Sequence, residues 1–452
     1  MSGGKPASDR RSTRAAFDRA RIVTPEAVPA DLVLLHARWL LACAGPAPRR
    51  GAAQGDVTAT PDGAVAIRDG RITFAGPSER LPSHISQLSA PHVVDLQGRH
   101  SIVPGFVDPH THAVFSGDRT AELRRRLAGE TYAQIAAAGG GIVSTVTATR
   151  GASESELADV ARVRLSEMRS AGTTTCEIKS GYGLTTADEI KLLRVIDSLR
   201  RTEPMTIVST FMGAHEVPSE YRGARERYVD LVVDEMIPAV AHAGLAEWCD
   251  VFCEDGVFTP AEATRILEAG TTAGLRPRIH ADELGATGGS RVAAAVGARS
   301  ADHLVHVDAG GIAALASANV AATLLPTAAF YLKLSRYAPA RALIAAGVPV
   351  ALATDVNPGG GFSPGMPFAI ALACFAMDMT FEEALVAATL NAAWSLDLSD
   401  SVGSLEPGKL GDLVVVNGDP INLVRVGASS IVSVFRNGQL VSGASSMSRV
   451  TA

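Results

Sequence analysis

From about Ile102 onward the chain repeats one pattern. A short, almost uninterrupted apolar run gives way to a longer segment with apolar residues at helical spacing, and then the next run begins. The runs are Ile102–Val107, Thr173–Ile178, Thr206–Phe211, Trp248–Phe252, Pro277–His280, Ser300–Leu304, Val320–Leu325 and Val348–Thr354. Continuous rather than alternating hydrophobicity predicts strands buried on both faces, as in a parallel sheet. The intervening segments predict helices, among them Glu154–Ser170, Thr186–Arg201, Pro260–Ala273 and Gly289–Val296, with further helix expected from Thr131 and from about Pro218. Pro260 suits the first turn of its helix. Eight strand–helix units in sequence favour a closed (β/α)₈ barrel over an open doubly wound sheet. No Gly-x-Gly-x-x-Gly follows an early strand, so a dinucleotide fold has little support.

Both ends of the chain read differently. Asp31-Leu-Val-Leu-Leu, Gly63 to Phe74 and His92-Val-Val-Asp-Leu are apolar runs cut by turn residues, and Asp69-Gly70 is a strong hairpin signal. Gly411 to Asn417 and Ile431 to Val441 repeat this character, again with an Asn437-Gly438 pair. The expected architecture is therefore α/β. A (β/α)₈ barrel occupies 101–402, and a small β-sandwich domain is built from 31–100 together with 403–445. Residues 1–30 read as a disordered tail.

Composition narrows the function. Of 452 residues, 47% are apolar, enough for a large core, while net charge is −6 and only 5% are aromatic. Without a basic stripe or stacking platforms, nucleic acid is not an expected partner. Five cysteines, Cys43, Cys176, Cys249, Cys253 and Cys374, form no Cys-x-x-Cys pair, which fits a reduced, cytoplasmic compartment. The first thirty residues carry no apolar signal core. The uncharged runs Ala309–Leu332 and Val356–Met377 are broken by Gly, Asn and Pro, and read as barrel strands and helices rather than membrane spans.

Polar residues stand where the apolar runs stop. His110 and His112 follow the first run at i, i+2 spacing, which puts both imidazoles on one side of an extended strand end. Lys179 and Tyr182 follow the second, His215 the third, Cys253 and Glu254 the fourth. His280 and Glu283 follow the fifth, His303 and His306 the sixth, Asp355 and Asn357 the last. In a barrel, strand C-termini are where an active site is assembled. His110, His112, His280 and Asp355 make three imidazoles and one carboxylate, a set suited to one Zn²⁺ or Fe ion with water completing the shell. Such a metal lowers the pKa of its water to about 7. Asp355 can hold or deprotonate that water, Glu283 can pass a proton to a leaving nitrogen, and His303 can polarise an oxyanion. Plainer readings stand beside these. His215 is either a cavity residue or a core histidine bonded to backbone. Lys179 reads as structural rather than as a bridging ligand, Cys249 and Cys253 as buried thiols, and Asp108 as a hydrogen-bonding residue at a strand end.

These motifs resemble the amidohydrolase superfamily. General marks are Val103-Pro-Gly-Phe-Val-Asp-Pro-His-Thr-His112 and Gly403-Ser-Leu-Glu-Pro-Gly-Lys-Leu-Gly-Asp-Leu-Val. More specific ones are Phe115-Ser-Gly-Asp-Arg119, Lys179-Ser-Gly-Tyr-Gly-Leu184, Phe211-Met-Gly-Ala-His-Glu-Val-Pro218, Asp250-Val-Phe-Cys-Glu-Asp-Gly256, His280-Ala-Asp-Glu283 and Thr354-Asp-Val-Asn-Pro-Gly359. The resemblance implies hydrolysis of the cyclic amide of 4-imidazolone-5-propanoate to N-formimidoyl-L-glutamate, a step of histidine degradation, by a homodimer. It implies metal ligation by His110, His112, His280 and Asp355. It implies substrate contacts from Arg119, Tyr182, His215, Glu283, Asn357, Gly359 and Gly360. One departure stands out. The family usually has Ser or Thr directly after that glycine, whereas Gly360, Gly361 and Phe362 here precede Ser363. A ring deaminase using the same metal set, and a catalytically silent barrel, are the rival readings.

Overall fold

The computed structural model describes residues 1, 30–81, 92–130, 134, 140–426 and 429–443. The tail and all but Gln134 of the 131–139 stretch, where helix was expected from Thr131, lie outside the described residues.

In chain order the strands are β1 (Leu32–Leu41), β2 (Ala59–Arg68), β3 (Arg71–Pro77), β4 (His92–Asp95), β5 (His100–Pro104), β6 (Phe106–Asp108), β7 (Thr173–Lys179) and β8 (Thr206–Ala214). They continue with β9 (Trp248–Cys253), β10 (Arg276–Ala281), β11 (Ser300–His303), β12 (Ala321–Leu324), β13 (Val350–Leu352), β14 (Leu413–Asn417), β15 (Ile431–Arg436) and β16 (Gln439–Gly443). β6 to β13 lie side by side in sequence order, every pair parallel. Just beyond the two outer strands the backbone closes the ring, with Asp355 N–H donating to His110 O at 3.1 Å and His112 N–H to Val356 O at 2.8 Å. The two ends of the barrel therefore meet at the residues expected to carry the chemistry.

The helices form where the sequence placed most of them. Glu154–Ser170 starts in a capping box, Ser153 with Glu156, and buries Leu157, Ala161, Leu165 and Met168 along one stripe. Pro260–Thr272 starts the same way on Thr259 and Glu262. Beyond Pro218 the expected helix is broken: a short turn, Ser219–Tyr221, precedes Arg225–Leu231, and a π-helical turn, Val232–Met236, joins this to Ile237–Ala243. Opposite the site, Val107, Val208, Trp248 and Ala351 pack with Ala392, Ala393 and Leu396 and plug the barrel. No described helix is long and apolar enough to cross a membrane.

Strands from both chain ends form one continuous mixed sheet in the order β16-β15-β14-β5-β1-β2-β3, with β4 also on β1. β1 serves two parallel neighbours because its register shifts between Leu34 and Ala37, where His36 takes φ 53°. Its first half pairs with β4, and Leu40 pairs with Ile102 of β5. Both hairpin signals hold. Asp69 and Gly70 have φ of 50° and 76°, Asn437 and Gly438 50° and 72°, the paired positive values of a type I′ turn.

The run Ile102–Val107, read as a single barrel strand, is two strands. His100–Pro104 belongs to the mixed sheet, antiparallel to β14, and Phe106–Asp108 to the barrel. The switch occurs at Gly105, whose N–H donates to Asp412 O while the next N–H donates to Gly172 O. A Cβ at Gly105 would lie 2.3 Å from Thr174 Oγ1, so only glycine lets the chain cross so closely. An apolar run carries no mark of a change of sheet, which is why the break was not legible.

Candidate active site

The chain leaves β6 through Pro109 and keeps both His110 and His112 buried. His110 Nδ1 lies 2.6 Å from Asp302 Oδ2 on β11, and His280 Nδ1 lies 3.0 Å from Asp250 Oδ1 on β9. A carboxylate only accepts, so each Nδ1 carries the proton and each Nε2 presents a lone pair. Those lone pairs converge. Asp355 Oδ1 is 3.6 Å from His110 Nε2 and 3.7 Å from His112 Nε2, and the Nε2 atoms of His112 and His280 are 3.4 Å apart. His110 Nε2 and His303 Nε2 are buried without hydrogen-bond partners. A buried polar atom left unsatisfied costs about 1–3 kcal/mol.

Electrostatics point the same way. Burial, reinforced by Lys179 and the neighbouring imidazoles, holds His110 well below the usual histidine range; burial, with His215 and His280, does the same to His112. Both are neutral at physiological pH, the form a metal requires. Burial pushes the Asp355 carboxyl up to about 8, against the pull of Asn357 and Lys179. A positive charge among these atoms would draw that carboxyl back to its ionised form. Among the described residues, His110, His112 and Asp355 offer ligand atoms within 4.8 Å of one another, as do His110, His280 and His303. A third group, His110 with Asp250 and Asp302, meets the same distance, but its carboxylates stand on the Nδ1 side and orient the rings. Two imidazoles, His110 and His280, with tautomers fixed through Nδ1, a third at His112, one carboxylate and an unsatisfied Nε2 fit a divalent metal ion.

A cavity of about 690 Å³ opens over this cluster. His112, His280, His303 and Asp355 form its floor, and Arg119, Tyr182, His215, Glu283, Asn357, Gly359 and Gly360 line its sides. Of the site residues expected from the sequence, all but His110 line this cavity, and His110 lies buried beside Asp355.

The comparisons with known proteins agree with this geometry. The sequence profile of the amidohydrolase family matches residues 101–441. The imidazolonepropionase of Symbiobacterium thermophilum is 47% identical over 417 residues, covering 91% of this chain and 97% of that one. That of Geobacillus kaustophilus is 48% identical over 389 residues, covering 85% and 91%. The chain belongs to the imidazolonepropionase family of amidohydrolases. Solved amidohydrolase-fold structures share the architecture at low identity. A zinc-bound adenosine deaminase from Xanthomonas campestris superposes with a TM-score of 0.65 at 18% identity, covering 91% of this chain and 93% of that one. An atrazine chlorohydrolase from Arthrobacter aurescens, complexed with zinc, gives 0.65 at 16%, covering 91% and 95%.

Within this imidazolonepropionase scaffold the remaining residues take definite places. Glu283 follows β10 on a loop whose N–H groups, those of Glu283 and Leu284, donate to Glu254 Oε2 at 3.1 and 2.8 Å. Burial, with Asp355 and Glu254 adding repulsion, pushes its carboxyl well above the usual range and so favours its protonated form. His303 Nδ1 stands 3.5 Å from Glu283 Oε1. Both readings of His215 hold at once: Nδ1 lies 2.9 Å from Gly181 O, while the ring stacks on His112 at 4.9 Å and faces the cavity. Burial lowers its pKa to about 3, so it stays neutral. His306 does not line the cavity.

Asn357 Oδ1 accepts the N–H groups of Gly359 and Gly360 at 2.7 and 2.6 Å, and Gly359 O accepts from Arg126 Nη2 at 2.9 Å. In the lengthened loop the cavity wall is therefore backbone at Gly359 and Gly360, and Ser363 does not reach it. A Cβ on Gly359 would meet Arg119 Nη1 at 2.4 Å, so glycine allows the guanidinium to lie against the chain.

Lys179 is fully buried among carboxylates. Asp108 accepts from Thr354 N–H at 3.0 Å and from its hydroxyl. Cys249 and Cys253 are buried thiols whose pKa values burial raises, that of Cys253 to about 12. Sequence reasoning missed Asp302 and Glu122, and gave Asp250 and Glu254 no role beyond the motif and strand end they mark. Asp250 and Asp302 had a signal, a carboxylate inside an otherwise buried strand, where charge is rare unless paired.

Proposed function

We propose that the chain hydrolyses 4-imidazolone-5-propanoate to N-formimidoyl-L-glutamate, with one Zn²⁺ or Fe ion held by His110, His112, His280 and Asp355. The relatives at 47% and 48% identity carry the name imidazolonepropionase along most of their length. The observation that carries the substrate reading is the Arg119 guanidinium, buried beside the same cavity as the imidazole cluster and held by Glu122 through Nε and Nη2 only. A buried guanidinium edge with unused donors suits the propionate carboxylate.

A metal ion held by His110, His112, His280 and Asp355 would supply an acidified water and polarise the ring carbonyl. Arg119 anchors the tail, with Tyr182, Asn357 and the Gly359–Gly360 backbone shaping the wall. His215, neutral and fixed through Nδ1, offers Nε2 to the ring. Asp355 takes the proton of the attacking water. His303 orients the carbonyl oxygen as the water adds to the carbon and the C–N bond breaks. Glu283 delivers a proton to the departing nitrogen. The enzyme is taken to work as a cytoplasmic homodimer, with the barrel 101–402 as its catalytic unit.

The test is incubation of metal-replete protein with imidazolone propionate and, separately, with a purine and pyrimidine panel. Turnover of the imidazolone alone supports the proposal. Release of ammonia from a purine or pyrimidine, with no turnover of the imidazolone, would replace it with a deaminase.

A further inference from the structure

Beneath the imidazole cluster the barrel interior is charged. Glu177, Lys179, Asp250, Arg278 and Asp302 all lie there, each 0% exposed. Lys179 Nζ is 2.8 Å from Glu177 Oε1, 2.7 Å from Asp250 Oδ2 and 4.0 Å from Asp302 Oδ2. Each of these carboxylates also reaches a histidine or the peptide between two. Asp250 Oδ1 contacts His280 Nδ1 at 3.0 Å and accepts its backbone N–H at 3.2 Å. Asp302 Oδ2 contacts His110 Nδ1 at 2.6 Å. Glu177 Oε2 accepts the N–H of Thr111, between His110 and His112, at 3.2 Å. Arg278 holds Asp302 from a second side at 3.3 Å and binds Pro109 O at 2.9 Å.

We infer that Lys179 is a positioning residue for the metal-binding histidines: its ammonium fixes Asp250 directly and, at 4.0 Å and together with Arg278, steadies Asp302, and through them holds His280 and His110 as Nδ1–H tautomers with Nε2 turned to the metal. The geometry is specific. A lysine needed only to fill space would not require three carboxylate neighbours, and burying charge is expensive unless each one is matched. Replacing such a set by apolar residues is often neutral for stability, so its use here lies in orientation. The inference rests on the metal-site reading above.

The test uses the full chain and three variants, Lys179→Met, Asp250→Asn and the two together. Metal dissociation constants are measured by competition with a chelator, and imidazole tautomers by nitrogen NMR of the metal-free protein. Lys179→Met and Asp250→Asn should each weaken metal binding roughly 10–100-fold, the usual effect of losing a ligand's hydrogen-bond partner. The double variant should be no more than about threefold weaker than the worse single, because both changes break one link. The spectra should show Nδ1–H tautomers for His110 and His280 in the unaltered protein and a mixture in Lys179→Met. A structural lysine would lower the melting temperature while leaving affinity and tautomers unchanged, or the two losses would multiply; either result overturns the inference. If Lys179→Met does not fold, the charge-compensated double variant is compared with Asp250→Asn, and a further tenfold loss of affinity overturns it. If the unaltered protein binds no metal, the metal-site reading fails, while the tautomer spectra still decide the role of Lys179.

Discussion

Arg119 and Glu122 are joined along one edge of the guanidinium, with Nε donating to Glu122 Oε2 at 2.8 Å and Nη2 lying 2.7 Å from the same oxygen. Both side chains are buried, and Glu122 Oε1 accepts the N–H of Gly141 at 2.9 Å. Glu122 therefore commits one edge of Arg119 to the protein and leaves the Nη1–Nη2 edge for a ligand.

Removing that edge should act on binding. Arg119→Met should lower kcat/KM for the imidazolone by roughly ten- to a hundredfold, since a charge-assisted contact is worth about 1.5–3 kcal/mol. The contact is remote from the bond that breaks, so KM should carry most of the loss. A substrate analogue without the carboxylate should be turned over equally by both proteins. Equal losses on both compounds would mean that Arg119 acts on structure.

Glu122→Gln keeps the shape but removes the charge that orients the guanidinium. KM should rise about three- to tenfold with kcat nearly constant, the cost of one weakened hydrogen bond. Unchanged steady-state constants would show that packing against Gly359 orients Arg119 unaided.

Gly359→Ala tests that packing directly. The new methyl would sit 2.4 Å from Arg119 Nη1, so the guanidinium must shift. KM should rise by roughly tenfold, while metal content stays that of the unaltered protein. Loss of metal from this variant would show that the loop supports the ligands instead.

Glu283→Gln should keep its metal and lose roughly 10²–10⁴ in kcat, the usual worth of general acid–base help. The sign of the pH effect follows from the direction of its shift. Burial, Asp355 and Glu254 raise the carboxyl, so the proton it donates is kept to higher pH than on an ordinary carboxyl and is lost as pH rises through the raised value. The pH profile of kcat should fall on the alkaline side, and that limb should vanish in Glu283→Gln. A variant within a few-fold of normal kcat would restrict Glu283 to binding.

Local chemistry made much of this legible in the sequence. Parallel strands announce themselves as continuous apolar runs, and Asp69-Gly70 and Asn437-Gly438 can adopt the positive φ values their hairpins need. His110 and His280 stood at run ends, where a barrel gathers its site. What stayed hidden depends on contacts across the fold. Asp302 reaches His110 across 192 residues of chain, and no local spacing encodes that pairing. Glu122 drew no attention in the sequence, since its partner Gly141 lies 19 residues on, beyond the helix. The change of sheet at Gly105 left the apolar run unbroken, because both sheets demand the same residues there.

The most direct test follows product and metal in one sample. Purified protein is assayed for N-formimidoyl-L-glutamate formed from 4-imidazolone-5-propanoate before chelation, after chelation and after metal is restored, with His112→Ala beside it. Turnover should track bound metal, vanish with the chelator, return with Zn²⁺ or Fe, and be absent in His112→Ala, whose remaining ligands hold the ion poorly. Full turnover in verified metal-free protein, or no product from folded, metal-replete protein, would contradict the account.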